Sequence, residues 1–245
     1  MNGLEKLSAE AARLIDDASR VGLVLRALGS VGVRLHCQTS SIEMDQRDRY
    51  PKDIDLITRK DDRRGLRQFL EGEGYAVDRN MLVAMEGTRY LFRNPEKEVD
   101  IDVWVDILDL CHRLDVTHRM GEGPSLSIED LILSKLQIVE LTENDTHDLA
   151  AMLSAHETKE TDSDAEVIDL SYLTSVLSND WGFWRTATGN LMRIMPELGP
   201  VAHERAAEIL NRVEDAPKGV KWKLRAKVGE RVQWWQDVDI PRDTY

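Results

Sequence analysis

Lys52-Asp53-Ile54-Asp55-Leu56-Ile57 is followed about 45 residues later by Glu98-Val99-Asp100-Ile101-Asp102-Val103. Both runs are short and apolar, with acids at alternate positions. On a strand, residues i and i+2 point to the same face, roughly 7 Å apart. Each run therefore presents two carboxylates on one face and aliphatic side chains on the other. If the two strands are neighbours, four carboxylates converge, and such a cluster repels itself unless a cation joins it. Hard oxygen ligands of this kind suit Mg²⁺, which takes a few carboxylates together with substrate phosphates.

The chain has 245 residues, enough for one large or two small domains, and its 42% hydrophobic content is sufficient for a packed core. A formal net charge of -13 argues against broad, non-specific binding to nucleic acid or membranes. Cys37 and Cys111 show neither metal-ligand spacing nor a disulfide framework. The first residues, MNGLEKLSAEAARLIDD, carry early acids and lack the apolar stretch of a secretory signal. No run reaches the length of a membrane span. A soluble cytoplasmic protein is the expectation.

Outward from the acidic runs, Leu4, Leu7, Ala11, Leu14, Ile15 and Ala18 form one helical face. Val24 to Leu28 is short and apolar, Gly29-Ser30 breaks it, and Val31 to Cys37 suits a short helix. Residues 38–52 read as a loop. After the first acidic strand, Asp61 or Asp62 is placed to cap a helix that stops at Gly74. Residues 75–93 read as one or more strands around a Glu86-Gly87 turn. After Val105 strands are expected to cease. Ser127 caps an apolar helix with Asp130 three residues on, a further helix fits Asp145 to Ala155, and residues 156–166 read as a polar linker. The fold class is α/β (α+β): a mixed sheet flanked by helices over residues 1–120, and a helical region over 121–245.

The order of turn, short helix, acidic strand, helix and second acidic strand resembles the nucleotidyltransferase superfamily. That superfamily pairs a Gly-Ser or Gly-Gly turn with an Asp-x-Asp strand and a third Asp on an adjoining strand. Within it the chain is similar to the branch of abortive-infection (AbiEii-like) toxins. Gly29-Ser30 stands at the turn, His36 ends the short helix, and Arg49-Tyr50-Pro51-Lys52-Asp53-Ile54-Asp55-Leu56 matches the acidic strand with its basic approach. Ile132-Leu133-Ser134-Lys135 and Asn144-Asp145-Thr146-His147-Asp148-Leu149 resemble two later helical motifs. The likeness covers roughly residues 20–155. Two departures stand out: an inserted loop of roughly Gln38 to Asp48, and Asn144 where the branch carries a basic residue.

The resemblance implies Mg²⁺-dependent transfer of a nucleotidyl group from an NTP to an acceptor hydroxyl on RNA (a tRNA end, for example), a protein or a small molecule. A toxin role with an antitoxin partner is implied by the same likeness. Asp53, Asp55 and Asp100 would hold a two-metal site, since two ions about 3.5–4 Å apart stabilise both oxygens of an in-line displacement. Asp100 or Asp102 would also take the acceptor's proton. Gly29, Ser30, Arg49, Lys135 and Asp148 would bind the nucleotide. Lys135 is read as a helix charge whose removal changes stability by no more than about 0.5 kcal/mol.

Plainer readings stand beside these. An Asp-x-Asp strand alone is usually a solvated face, and antiparallel sheets often keep one face in water. His36, His112 and His118 read as structural or solvent-facing. Trp181, Phe183 and Trp184 read as core. The run from Lys218 to Arg231, interleaved with Trp222 and close to Trp234 and Trp235, suits phosphate and base contacts, but a solvated basic face is the preferred reading. The rival functions are a non-catalytic nucleotide- or RNA-binding module on the same fold, and an antibiotic-modifying transferase.

Overall fold

The computed structural model describes residues 3–37, 53–97, 99–160 and 167–237. Arg49 and the inserted loop fall outside the described residues.

Helix α1 (Gly3–Arg20) opens the chain. Leu4, Leu7, Ala11, Leu14, Ile15 and Ala18 are buried, the stripe expected of a 3.6-residue period. Strand β1 (Leu25–Ala27) leads directly into α2 (Gly29–His36), and β2 (Asp53–Thr58) is the first acidic strand. Helix α3 (Arg63–Gly72), β3 (Ala76–Val77), α4 (Arg79–Ala84) and β4 (Arg89–Asn94) then lead to β5 (Val99–Val105), the second acidic strand. Spatial order in the sheet is β1-β2-β5-β4-β3. β2 and β5 run parallel, and every other neighbouring pair is antiparallel. The expected mixed sheet flanked by helices is the architecture found.

Alternation decides which sheet face is buried. Ile54 and Leu56 of β2 lie beside Ile101 and Val103 of β5, and all four are fully buried. α1 and α2 pack across β1 and β2. The acids take the opposite face.

The second half carries α5 (Ile128–Leu136), α6 (Glu143–Ala155), α7 (Leu170–Asn179), α8 (Trp181–Ile194), α9 (Pro200–Asp215) and α10 (Val220–Val228). Ser127 caps α5 by accepting from the Asp130 N–H at 3.3 Å. Thr142 and Asp145 close a reciprocal capping box on α6. One buried core runs from Leu4 to Val213 and draws on both halves of the chain. No helix among the described residues is long and apolar enough to cross a membrane.

Four local expectations are corrected. Strands do not cease after Val105: β6 (Ile107–Asp109) pairs with β7 (Arg113–Asp115). The stretch read as a polar linker contains β8 (Glu157–Lys159), paired in parallel with β9 (Val167–Asp169). Three-residue strands are too short for alternation to register. Arg79–Ala84, read as strand, is one helical turn capped by Asp78, which accepts from Asn80 N–H and Met81 N–H. Asp62 precedes α3 but makes no cap bond. It accepts instead from Val24 N–H at 3.1 Å and ties the α3 entry to β1. The Glu86-Gly87 turn is present, with both residues at positive φ (48° and 76°).

Candidate active site

Parallel pairing of β2 with β5 sets Asp53 beside Asp100 and Asp55 beside Asp102. Residues paired in register share a face, as do i and i+2 on one strand. The four carboxylates therefore form a two-by-two array on the sheet surface opposite α1 and α2. No strand intervenes, because the 63–94 segment crosses over and returns on the far side of β5.

The array carries more negative charge than its surroundings relieve. Burial pushes the Asp55 carboxyl well above the ordinary range, and the neighbouring Asp53 and Asp102 push it further. Asp53 is raised by burial, then by Asp102 and, less, by Asp100. Asp102 thus bears on both acids of β2.

A residue the sequence reading passed over supplies the nearest positive charge. Arg89 of β4 pairs in register with Trp104, one step along the same face from Asp102. Its Nε lies 2.9 and 3.0 Å from the two Asp102 oxygens, and its Nη2 also bonds Oδ2. The guanidinium sits 4.3 Å from the centre of the Trp104 ring. Arg93, four residues on, reaches Asp100 at 3.3 Å from a more open position. The available signal was the alternation Arg89-x-Leu91-x-Arg93, which sets both arginines on the face that the acids use.

The Gly-Ser turn abuts the array from the other side. Leu28 N–H donates to the Asp55 carbonyl at 3.0 Å, which fixes the start of α2 against β2. Gly29 has φ of 62°, and a Cβ there would overlap Asp55 Oδ2 outright. Only glycine fits both the left-handed backbone and the contact. Gly29→Ala is therefore expected to cost more than about 1 kcal/mol and to displace Asp55. Paired thermal melts and activity assays check this, and an alanine variant that matches wild type in both refutes it.

Ser30 Oγ donates to Asp148 Oδ2 at 2.7 Å. Lys135 Nζ lies 2.9 Å from that same oxygen and 2.8 Å from Asp145 Oδ1. The turn, α5 and α6 are thereby fastened by one polar network. This corrects the reading of Lys135 as a surface charge: its side chain is 12% exposed, and Asp148 is fully buried. Burial lowers the Lys135 pKa, but Asp148 and Asp145 outweigh it and hold the amine charged. Asp145 is pushed up by burial and brought below the ordinary range by Lys135. Lys135 also lowers Asp55, so the network reaches the array electrostatically.

The remaining candidates have structural settings. His36 Nδ1 lies 3.1 Å from Ser125 Oγ, and its ring is 5.2 Å from that of His156. His112 stacks on Phe183, and burial lowers its pKa to about 4. Trp181 and Phe183 are buried. α10 buries no residue. It rests on the body through Trp222 against Trp184 and Arg225 over Trp181, and Lys221, Lys223 and Lys227 face solvent. This fits the reading of the run as a solvated basic face.

All donors in the array are oxygens, and the repulsion among them is what a hard divalent cation relieves, so the residues fit Mg²⁺. Among the described residues no three ligand groups already stand arranged to hold a metal, and Asp102 is tied to Arg89.

No protein-family model matches the chain, and no curated protein matches it. Among solved structures it is similar to the antibiotic-resistance factor ANT(2'')-Ia, with 12% identity and a TM-score of 0.40 over 71% of this chain and 91% of that one. A likeness at that level assigns no role to any residue here.

Proposed function

We propose that the array is the catalytic centre of a nucleotidyltransferase that moves a nucleotidyl group from an NTP to an acceptor hydroxyl. The observation that carries this reading is the two-by-two register of Asp53, Asp55, Asp100 and Asp102, with the Gly29 turn pressed against Asp55. Asp53, Asp55 and Asp102 would hold Mg²⁺, which when bound neutralises phosphate charge around the reacting phosphorus.

The chain's own groups divide the remaining work. Asp100 is more open than Asp102 and takes the proton of the acceptor hydroxyl. The acceptor oxygen attacks the α-phosphorus and pyrophosphate leaves. Backbone N–H groups at the start of α2 bind phosphate oxygens. Ser30, Asp148 and Lys135 hold that turn in place, so Lys135 is a positioning residue in this scheme.

A second reading, a non-catalytic nucleotide-binding module, is favoured by the engagement of Asp102 with Arg89. Incubation with each α-labelled NTP and Mg²⁺ separates the two, using total RNA in one arm and small hydroxylated acceptors in another. Labelled product that disappears in Asp53→Asn/Asp55→Asn is expected. Bound NTP without labelled product from any acceptor would favour the binding module.

A further inference from the structure

Arg89 sits where a catalytic carboxylate needs to be free. Its guanidinium bonds both oxygens of Asp102 and sits 4.3 Å from the centre of the Trp104 ring, and the side chain is 14% exposed. Arg93 differs. It is 52% exposed and divides a weaker hold between Asp78 at 3.6 Å and Asp100 at 3.3 Å. Exposed pairs of that kind contribute little. A guanidinium bidentate on Asp102 sets its positive charge beside any divalent ion that the same carboxylate would take, so the two cations compete for it. A guanidinium displaced from a carboxylate has a natural second partner in phosphate, which it recognises in the same bidentate manner.

We propose that Arg89 is the built-in counter-cation of the carboxylate array, that it competes with a divalent metal for Asp102, and that metal entry releases it to the triphosphate. This rests on the nucleotidyl-transfer reading above and adds a specific consequence. Arg89 opposes metal binding in the free protein and favours nucleotide binding in the metal-loaded one. A purely structural ion pair would not move these two affinities in opposite directions.

The test is Mn²⁺ titration without nucleotide, read by electron paramagnetic resonance, in wild type, Arg89→Gln, Arg89→Lys and Asp53→Asn/Asp55→Asn. Removing one positive charge a few Å from the ion is expected to tighten Mn²⁺ binding in Arg89→Gln by about tenfold. The charge-conserving Arg89→Lys should stay nearer wild type. At saturating Mn²⁺, a non-hydrolysable NTP analogue should bind Arg89→Gln about tenfold more weakly. Unchanged or weaker Mn²⁺ binding by Arg89→Gln, with wild-type binding intact and lost in the double mutant, overturns this proposal alone. No Mn²⁺ binding by wild type overturns the functional reading with it. Should Arg89→Gln fail to fold, the wild-type Arg89 Nε–H resonance decides. It is expected to shift on addition of Mg²⁺ alone, and a resonance that stays fixed while Mg²⁺ binds overturns the proposal.

Discussion

Lys135→Ala should unfold with a loss of about 3–5 kcal/mol, the range for removing one partner of a buried ion pair. The lysine stands between Asp145 and Asp148 at 2.8 and 2.9 Å. Its removal takes the cation from two shielded carboxylates, which keep Ser30 against Asp148 and the Thr142 cap against Asp145 among their partners. The loss far exceeds what an exposed helix lysine gives. Urea denaturation measures it, and a variant within about 0.5 kcal/mol of wild type would return Lys135 to the surface class. Adding Asp148→Asn should recover part of the loss, because the stranded charge goes with it. Activity should fall as well, since Ser30 loses the partner that fixes the α2 turn.

Asp53→Asn/Asp55→Asn should do the reverse: abolish transfer and strengthen the fold. If the pair holds Mg²⁺ as proposed, its loss removes several kcal/mol of charge stabilisation, so turnover should drop by about 10³-fold or more. Stability should rise by on the order of 1 kcal/mol at neutral pH, as relief of a strained functional site commonly gives. Burial and mutual repulsion raise both carboxyls above the ordinary range in the folded chain. Between the ordinary range and those raised values the folded state therefore holds more protons than the unfolded one. Stability falls there as pH rises, and the double variant should lose that slope. Denaturation at a series of pH values checks the sign. A double variant less stable than wild type at pH 7 would mean that the acids are held by favourable contacts.

What was legible in the sequence followed from period and chemistry. The pairing of Asp53 and Asp55 with Asp100 and Asp102 was legible because alternating acids recur in two aliphatic runs, where a single such run would read as a solvated face. Gly29 was legible as a turn, though not as a residue touching Asp55, since that contact joins segments far apart in sequence. Arg89 was passed over: its alternation with Leu91 and Arg93 stood in the sequence, but β4 was located only as a vague strand, and a strand's partner cannot be read from one sequence. Lys135 was misjudged despite an available signal. α5 reads Ile-Glu-Asp-Leu-Ile-Leu-Ser-Lys-Leu, and its apolar residues Ile128, Leu131, Ile132, Leu133 and Leu136 spread wider than the single stripe of a surface helix. Every residue of it but Lys135 is in fact buried. A lysine on such a helix needs an acid from elsewhere, and Asp145 and Asp148 lay one helix downstream.

The parallel pairing of β2 with β5 also bears on how the molecule assembles. β2 precedes its parallel partner β5 by more than 40 residues, whereas β1 lies closer in sequence. β5 lies between β2 and β4 and closes a long crossover, and contacts so far apart in sequence go with slower folding. It also docks acid against acid, so the aliphatic face of Ile101 and Val103 has to drive the strand home against an electrostatic barrier. Ions in the medium that screen those carboxylates lower the barrier. The rate at which this chain reaches its native sheet is therefore expected to rise with ionic strength, through the same four side chains proposed to carry its chemistry.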